Sequence, residues 1–226
     1  MQLVETMVAM QLKLNNETNG AGWQIERKTK TGKEINWSRC IYMECAELID
    51  SFPWKHWKNI DAEPDMENVK IEVVDIWHFV MSIFLEHYVP SKAGSYLVDN
   101  DEFKNIQHKR ASRSNDALII EASEDLMREA LDTNSLKDLA TKFYKLMYKV
   151  NMNIEELYIL YIGKNLLNSF RQNNGYKEGN YIKVWNGKED NVWMQKIIKE
   201  NKNTSPEELY LKLEETYKQE TSQINK

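Results

Sequence analysis

Two pairs of acidic residues are the side chains in this sequence best suited to carry chemistry. Glu44 and Glu47 form the first pair, and Glu72 and Asp75 form the second. In a helix, a spacing of three positions places both side chains of a pair on one face. Every residue in the stretch 71–80 is apolar except the second pair and one histidine. We therefore predict a buried helix there, in which ionised carboxylates are costly unless something compensates their charge.

A divalent cation is the compensation that these carboxylates favour. If the two helices pack antiparallel, which the length of the connection between them allows, all four acids converge. Their mutual repulsion would raise their pKa values unless a cation binds between them. Ligands that are all oxygen favour Mg²⁺, with Mn²⁺ as a substitute, over zinc. A solvated or ion-paired role would explain one such pair better, but two pairs in two apolar helices favour a metal site.

A basic segment far along the chain offers groups that bind phosphate. Lys164, Asn168 and Arg171 occur at i, i+4 and i+7, so they share one face of a predicted helix. The stretch 161–188 contains five basic residues and one acidic residue, although the net charge of the chain is −5. A basic helix face on its own is usually only solvated. Together with a metal site, fixed cations and amides favour the binding of a polyphosphate.

Composition and periodicity indicate that helices position these groups. Eight glycines and four prolines among 226 residues are too few for a β-sandwich or barrel. The stretches 20–35 and 175–187 are predicted to be loops. The polar stretch 91–115 shows no clear period, and we expect mobility or length variation there. The spacing of apolar residues predicts helices over 1–19, 37–51, 66–87, 115–130, 135–150, 154–170 and from Ser205 towards the end of the chain. We expect one all-α domain, a helical bundle, over residues 1–226.

Several classes of protein and location are disfavoured by the same composition. The acidic balance argues against a polynucleotide partner, which would need many basic contacts to phosphate. There is no run of 18 apolar residues to span a membrane, and the first residues lack the basic and apolar blocks of a signal peptide. Cys40 and Cys45 would point to different faces of one helix and cannot pair. These features together predict a protein of the reducing cytoplasm.

Four segments of the chain resemble the dimeric, all-α dUTP pyrophosphatases of the dUTPase/dUDPase type, which are related to the MazG-like nucleotide pyrophosphohydrolases. The segments are Gln11 with Asn15, MECAELIDSFPWKHWK, EVVDIWHF and GKNLLNSFRQNNGYKEGNY. The likeness extends over nearly the whole chain, is weak over 91–133 and yields no motif in 23–36. It implies a helical bundle of the dimeric dUTPase type, a homodimer with a mobile helical part, and a variable or mobile helical insertion at 91–133.

The resemblance also implies an activity and roles for individual residues. The activity is hydrolysis of dUTP and dUDP to dUMP with Mg²⁺, or Mn²⁺ in its place. Glu44, Glu47, Glu72 and Asp75 would bind the metal, and Glu47 would also activate the attacking water. The residues implied for the substrate are Gln11 and Asn15 at the uracil edge, Trp54, Trp57, His78 and Phe79 around the nucleoside, and Lys164, Asn168, Arg171, Tyr176 and Lys177 at the phosphates.

Three alternative functions stay open at this point. The ExxE and ExxD pairs alone would also suit a MazG-like pyrophosphohydrolase of another nucleoside triphosphate. The pattern Glu72-x-x-Asp75-x-x-His78 imitates part of a di-iron site, but that fold needs ExxH on two helices, and Asp50 stands where the first pair would need its histidine. Finally, the seven Trp and eleven Tyr could belong to a non-enzymatic helical interaction protein.

Overall fold

The computed structural model describes residues 2–58, 61–108, 115–132, 135–201 and 205–222, and these form helices with one short hairpin. The all-α fold class predicted from the composition is thereby confirmed. The helices are α1 (Gln2–Asn19), α2 (Trp23–Glu26), α3 (Trp37–Asp50), α4 (Met66–His87), α5 (Pro90–Val98), α6 (Asp101–His108), α7 (Asp116–Asp132), α8 (Leu136–Lys149), α9 (Ile154–Asn173), α10 (Asp190–Glu200) and α11 (Pro206–Thr221). The antiparallel hairpin consists of β1 (Val184–Trp185) and β2 (Lys188–Glu189). The chain divides into two compact units, Met1–Leu157 and Tyr158–Lys226.

Polar caps explain where the helices that carry the acidic pairs begin. The Asn36 side chain accepts a hydrogen bond from the backbone N–H of Arg39 at the start of α3. The Asp65 side chain does the same for Asn68 at the start of α4. Each cap satisfies a backbone donor that has no partner within the helix. The last helix begins at Ser205, as predicted, where Ser205 and Glu208 form a capping box.

Most of the described part of the polar stretch 91–115, in which the sequence shows no clear period, is helical. Helices α5 and α6 occupy Pro90–Val98 and Asp101–His108, and residues 109–114 lie outside the described residues. Ala93, Leu97 and Phe103 are buried, so tertiary packing stabilises helices too short for their periodicity to be read. Helix α2 likewise interrupts the predicted loop over 20–35, where the side chain of Trp23 is fully buried.

Helix α4 lies at the centre of the first unit and packs against α1, α3 and α8. Its apolar residues are buried on most of the circumference, as the sequence predicted. Trp77 stacks on Phe143 of α8, with ring centroids 4.7 Å apart. Because α3 packs directly on α4, the two acidic pairs lie on neighbouring helices.

The second unit has its own core of aromatic rings. Tyr217 of α11 contacts Phe170 of α9 and Trp185 of β1, with centroid distances of 5.4 and 5.2 Å. Phe170 and Trp185 are fully buried. Strand β1 occupies Val184–Trp185 within the loop predicted over 175–187, so the end of that loop forms part of the hairpin. Among the described residues, no helix combines the length and hydropathy needed to cross a bilayer.

Candidate functional site

Three of the four predicted acids converge between α3 and α4. Glu44, Glu72 and Asp75 each place a carboxylate oxygen so that all three atoms lie within 4.8 Å of one another. The side chain of Glu72 is buried, and its Oε1 accepts a 3.0 Å hydrogen bond from Nδ2 of Asn68. That amide also donates to the hydroxyl of Ser51 at 2.9 Å, which fixes its orientation. Asn68 lies one helical turn before Glu72, and sequence analysis missed its role.

Electrostatic repulsion makes this group of acids a candidate for cation binding. Burial, together with the negative charges of Asp75, Glu72 and Glu47, raises the pKa of Glu44 to about 9. A carboxyl with such a pKa keeps its proton at neutral pH unless a positive charge stabilises the ionised form. Three oxygen ligands this close together fit a hard divalent cation such as Mg²⁺.

Glu47, the fourth predicted acid, is exposed and lies outside the group of three. It is close enough for its charge to raise the pKa of Glu44. Spacing along α3 places Glu44 and Glu47 on the same face and cannot distinguish them. The rotation of α3 relative to α4 decides which of the two carboxylates reaches the cluster. The carboxylate of Glu47 is therefore open to solvent beside the buried cluster.

The residues predicted to contact uracil meet inside the first unit. Nε2 of Gln11 donates to Oδ1 of Asn15 at 2.9 Å, and both side chains are buried. Oε1 of Gln11 lies 2.6 Å from Nδ1 of His78, so the nucleoside-site histidine joins the same network. Ser82 connects them all, with hydrogen bonds to both amides and to the carbonyl of His78. Sequence analysis missed Ser82, although a polar residue four positions after His78 in an apolar helix was a visible signal.

The four predicted nucleoside-pocket residues fall into two places. Phe79 follows His78 on α4 and stacks on Trp37, with centroids 5.8 Å apart and an interplanar angle of 25°. Trp54 and Trp57 lie in the turn after α3 and meet edge to face at 5.8 Å. Their exposed fractions, 44% and 66%, leave both indoles largely open to solvent. Phe79 is thus half-buried beside Trp37, while the two tryptophans form an open aromatic surface.

A groove of about 1340 Å³ also lies in the first unit, beside Trp37. Its lining includes Arg27, Glu86, Tyr88 and Tyr96, and none of the predicted site residues. Size alone would favour this groove as a ligand site. The convergence of acids is the stronger chemical signal, so we place the candidate active site at the carboxylates and the neighbouring amide network.

The basic residues predicted to bind phosphate come together in the second unit. Arg171 forms a bidentate ion pair with Asp190, with N–O distances of 2.8 and 2.7 Å. Nη1 of Arg171 also donates to Oδ1 of Asn168 at 3.2 Å. Nζ of Lys164 donates to Oδ1 of Asn191 at 2.9 Å, and its side chain is buried. The predicted residues thus share a polar cluster with Asp190 and Asn191, which sequence analysis did not identify.

Aromatic hydroxyl and ring contacts complete this cluster. The guanidinium of Arg171 lies 5.8 Å from the ring centroid of Tyr176, which is half exposed, and Lys177 is exposed. Tyr181 donates its hydroxyl proton to Asp190 at 2.9 Å. Burial, the charge of Asp190 and this hydrogen bond raise the pKa of Tyr181. The phenol therefore stays protonated and acts as a donor.

Comparison with known proteins identifies one family. Residues 3–176 match the family described as dUTPase. The matched segment contains α1 to α9, the three converging carboxylates and the amide network. A search among curated proteins finds no match.

Proposed function

The chain belongs to the dUTPase family and is a dUTP diphosphatase, and we propose that it cleaves dUTP and dUDP to dUMP with Mg²⁺ held by its carboxylates. The observation that carries this proposal is the convergence of three acids within 4.8 Å on two packed helices. The elevated pKa of Glu44 supports it, because a cation would relieve the repulsion that raises that pKa.

Glu44, Glu72 and Asp75 are the proposed ligands, with Mn²⁺ as a possible substitute for Mg²⁺. When bound, the ion would lower the pKa of a water molecule and neutralise charge on the phosphates. Asn68 would orient Glu72 through its hydrogen bond to Oε1. We assign Glu47 the task of accepting the proton of the attacking water, because its carboxylate is exposed beside the group of three.

We propose that each part of the nucleotide is bound by side chains of complementary chemistry. Gln11 and Asn15 would bind the uracil edge, since amides offer both a donor and an acceptor. Aromatic rings would cover the base and sugar, and cations and amides would bind the phosphates. The residues assigned to these last two tasks are His78, Phe79, Trp54 and Trp57 for the nucleoside, and Lys164, Asn168, Arg171, Tyr176 and Lys177 for the phosphates.

Cation binding is expected to tighten as the pH rises towards 9. Burial and neighbouring acids raise the pKa of Glu44 to about 9 from its ordinary value of 4.5. The folded, cation-free protein therefore holds a proton that the unfolded chain releases, and its free energy of unfolding falls as the pH rises through this interval. Because the cation must displace this proton, the apparent Kd for Mg²⁺ should fall by up to about tenfold per pH unit.

Titration calorimetry in buffers that differ in ionisation enthalpy measures both the Kd and the released proton. In a Glu44→Gln protein, which cannot take up that proton, proton release should disappear. If the apparent Kd of the unmodified protein for Mg²⁺ does not change with pH, the assignment of Glu44 as a ligand is contradicted.

Product analysis with a panel of nucleotides tests the proposed activity. The protein is incubated with Mg²⁺ and, separately, dUTP, dUDP, dTTP, dCTP or UTP, and the phosphate products are quantified. We expect turnover of the two deoxyuridine nucleotides alone, with pyrophosphate released from dUTP. Equal turnover of all five would contradict the assignment of the base to Gln11 and Asn15 and would support a pyrophosphohydrolase of broad specificity. No turnover of any nucleotide would favour an interaction protein.

We further propose that the protein is a homodimer that acts in the cytoplasm without a polynucleotide partner. The resemblance to the dimeric dUTPases supports the dimer, and the acidic net charge of −5 argues against polynucleotide binding. Light scattering of the purified protein should give the mass of two chains. A monomer with full activity would contradict the dimer and leave the hydrolysis unaffected.

A further inference from the structure

Ser82 lies at the centre of the amide network and has one hydrogen to donate. Its hydroxyl donates to the backbone carbonyl of His78 at 2.7 Å. The oxygen of Ser82 is then left with lone pairs only, so any other partner must be a donor. Nδ2 of Asn15 at 2.9 Å and Nε2 of Gln11 at 3.2 Å are the donors that it accepts from. The side chain of Ser82 is fully buried, so water does not compete for these positions.

This arrangement determines which way each amide points. If the Asn15 amide were turned by half a rotation, its oxygen would face the oxygen of Ser82, and two acceptors would meet without a proton between them. The same holds for Gln11, whose Nε2 also donates to Oδ1 of Asn15 at 2.9 Å. Oε1 of Gln11 then faces Nδ1 of His78, at 2.6 Å, and that nitrogen must carry the proton. One hydroxyl therefore sets the orientation of both amides.

The side-chain amide of Asn15 keeps a defined set of hydrogen-bonding positions for a ligand. An amide can donate two hydrogen bonds and accept two. One N–H of Asn15 is used by Ser82 and one lone pair by Gln11, which leaves one donor and one acceptor. This pattern fits the edge of uracil, where N3 donates and the adjacent carbonyl oxygen accepts.

Cytosine presents the reverse pattern at the same two positions. Its N3 accepts and its exocyclic amine donates. With the sugar held in place, an amide in the observed orientation meets cytosine with donor against donor and acceptor against acceptor. A rotated amide would match cytosine instead. The orientation of the amide therefore decides which pyrimidine binds, because unmatched buried polar groups are costly.

We propose that Ser82 is a positioning residue that locks the Asn15 amide in the orientation that accepts uracil and rejects cytosine. The proposal rests on the proposed function of Gln11 and Asn15 in binding the base. Ser82 itself is not required to touch the substrate. Its effect is transmitted through the amide that it orients.

The test compares dUTP and dCTP as substrates of a Ser82→Ala protein. Without the hydroxyl, the amides of Asn15 and Gln11 can turn over together, with the proton of His78 moving from Nδ1 to Nε2, so both orientations of the Asn15 amide become accessible. The three hydrogen bonds of Ser82 are lost. We expect KM for dUTP to rise by about tenfold, with kcat changed by less than about threefold, and the preference for dUTP over dCTP to fall by at least about tenfold. A loss of purely structural origin would lower the rates for both nucleotides in proportion and would overturn the proposal.

A pair of variants with matched shape guards against a folding defect in the alanine protein. Ser82→Thr keeps the hydroxyl, and Ser82→Val replaces that hydroxyl by a methyl group of similar size. The threonine protein should keep the preference for dUTP and the valine protein should lose it. Equal preference in the two variants would overturn the proposal. In the unmodified protein, the Nδ2 protons of Asn15 should exchange slowly with solvent in NMR spectra, and fast exchange would contradict the lock without any variant.

Thr141 provides a control for the loss of a hydroxyl with the same pattern of hydrogen bonds. Its Oγ1 donates to the carbonyl of Lys137 at 2.8 Å and accepts from Nδ2 of Asn100 at 2.9 Å, which repeats the geometry of Ser82 away from the base-binding residues. Thr141→Val should leave the preference for dUTP unchanged. If the unmodified protein itself showed no preference between dUTP and dCTP, the proposed base recognition would fail. If that preference exists but survives both Ser82→Ala and Ser82→Val, the role of Ser82 alone is refuted.

Discussion

Replacement of Glu72 by glutamine is expected to lower kcat for dUTP hydrolysis by about a thousandfold, the loss that follows when several kcal/mol of charge stabilisation are removed. Glu72 is the buried member of the three carboxylates. Glutamine keeps its shape but offers a neutral oxygen to the cation. Steady-state kinetics at saturating Mg²⁺ measure the change.

The same substitution should not destabilise the cation-free protein. Removal of one negative charge relieves the repulsion that raises the pKa of Glu44, so the melting temperature without Mg²⁺ should stay the same or rise. The increase in melting temperature on addition of Mg²⁺ should disappear. Glu67→Gln, an exposed acid on the same helix, serves as the control and should keep the full rate. A stable Glu72→Gln protein with the full rate would refute the metal site.

Replacement of Asp190 by alanine is expected to destabilise the second unit by about 3–5 kcal/mol, the usual cost of breaking a buried ion pair. The side chain of Asp190 is fully buried and pairs with both the Nε and the Nη2 of Arg171. Tyr181 donates a third hydrogen bond to it. Without the carboxylate, the guanidinium is left in a largely buried position without its counter-charge. Urea denaturation followed by tryptophan fluorescence measures the change.

The neighbouring residue offers a matched control for this prediction. Glu189 pairs with Lys183 at 3.2 Å, but its side chain is half exposed. Loss of a surface ion pair costs less than about 1 kcal/mol. Glu189→Ala should therefore leave the denaturation midpoint almost unchanged. Equal effects of the two substitutions would mean that burial of the Arg171 pair contributes nothing to stability.

Local patterns accounted for most of the helices and failed where helices are short. The long apolar run of α4 and the capping residue Ser205 predicted helices that the structure confirms. A helix of eight or nine residues, such as α5 or α6, contains too few turns for its periodicity to be distinguished from that of a polar loop. Such helices are stabilised by packing, and the neighbours that pack on them are distant in sequence.

The sequence by itself determined the all-α class and the acidic pairs, because periodicity, capping and the rarity of acids in apolar helices are local properties. Only the tertiary structure decided that Glu44, Glu72 and Asp75 converge while Glu47 faces solvent. It also decided that Ser82 meets Gln11, 71 residues away, and that Arg171 pairs with Asp190. Each of these contacts depends on how one helix is rotated about its axis and shifted along that axis relative to its neighbour. Those quantities are set by the packing of the whole core, which no local spacing of residues specifies.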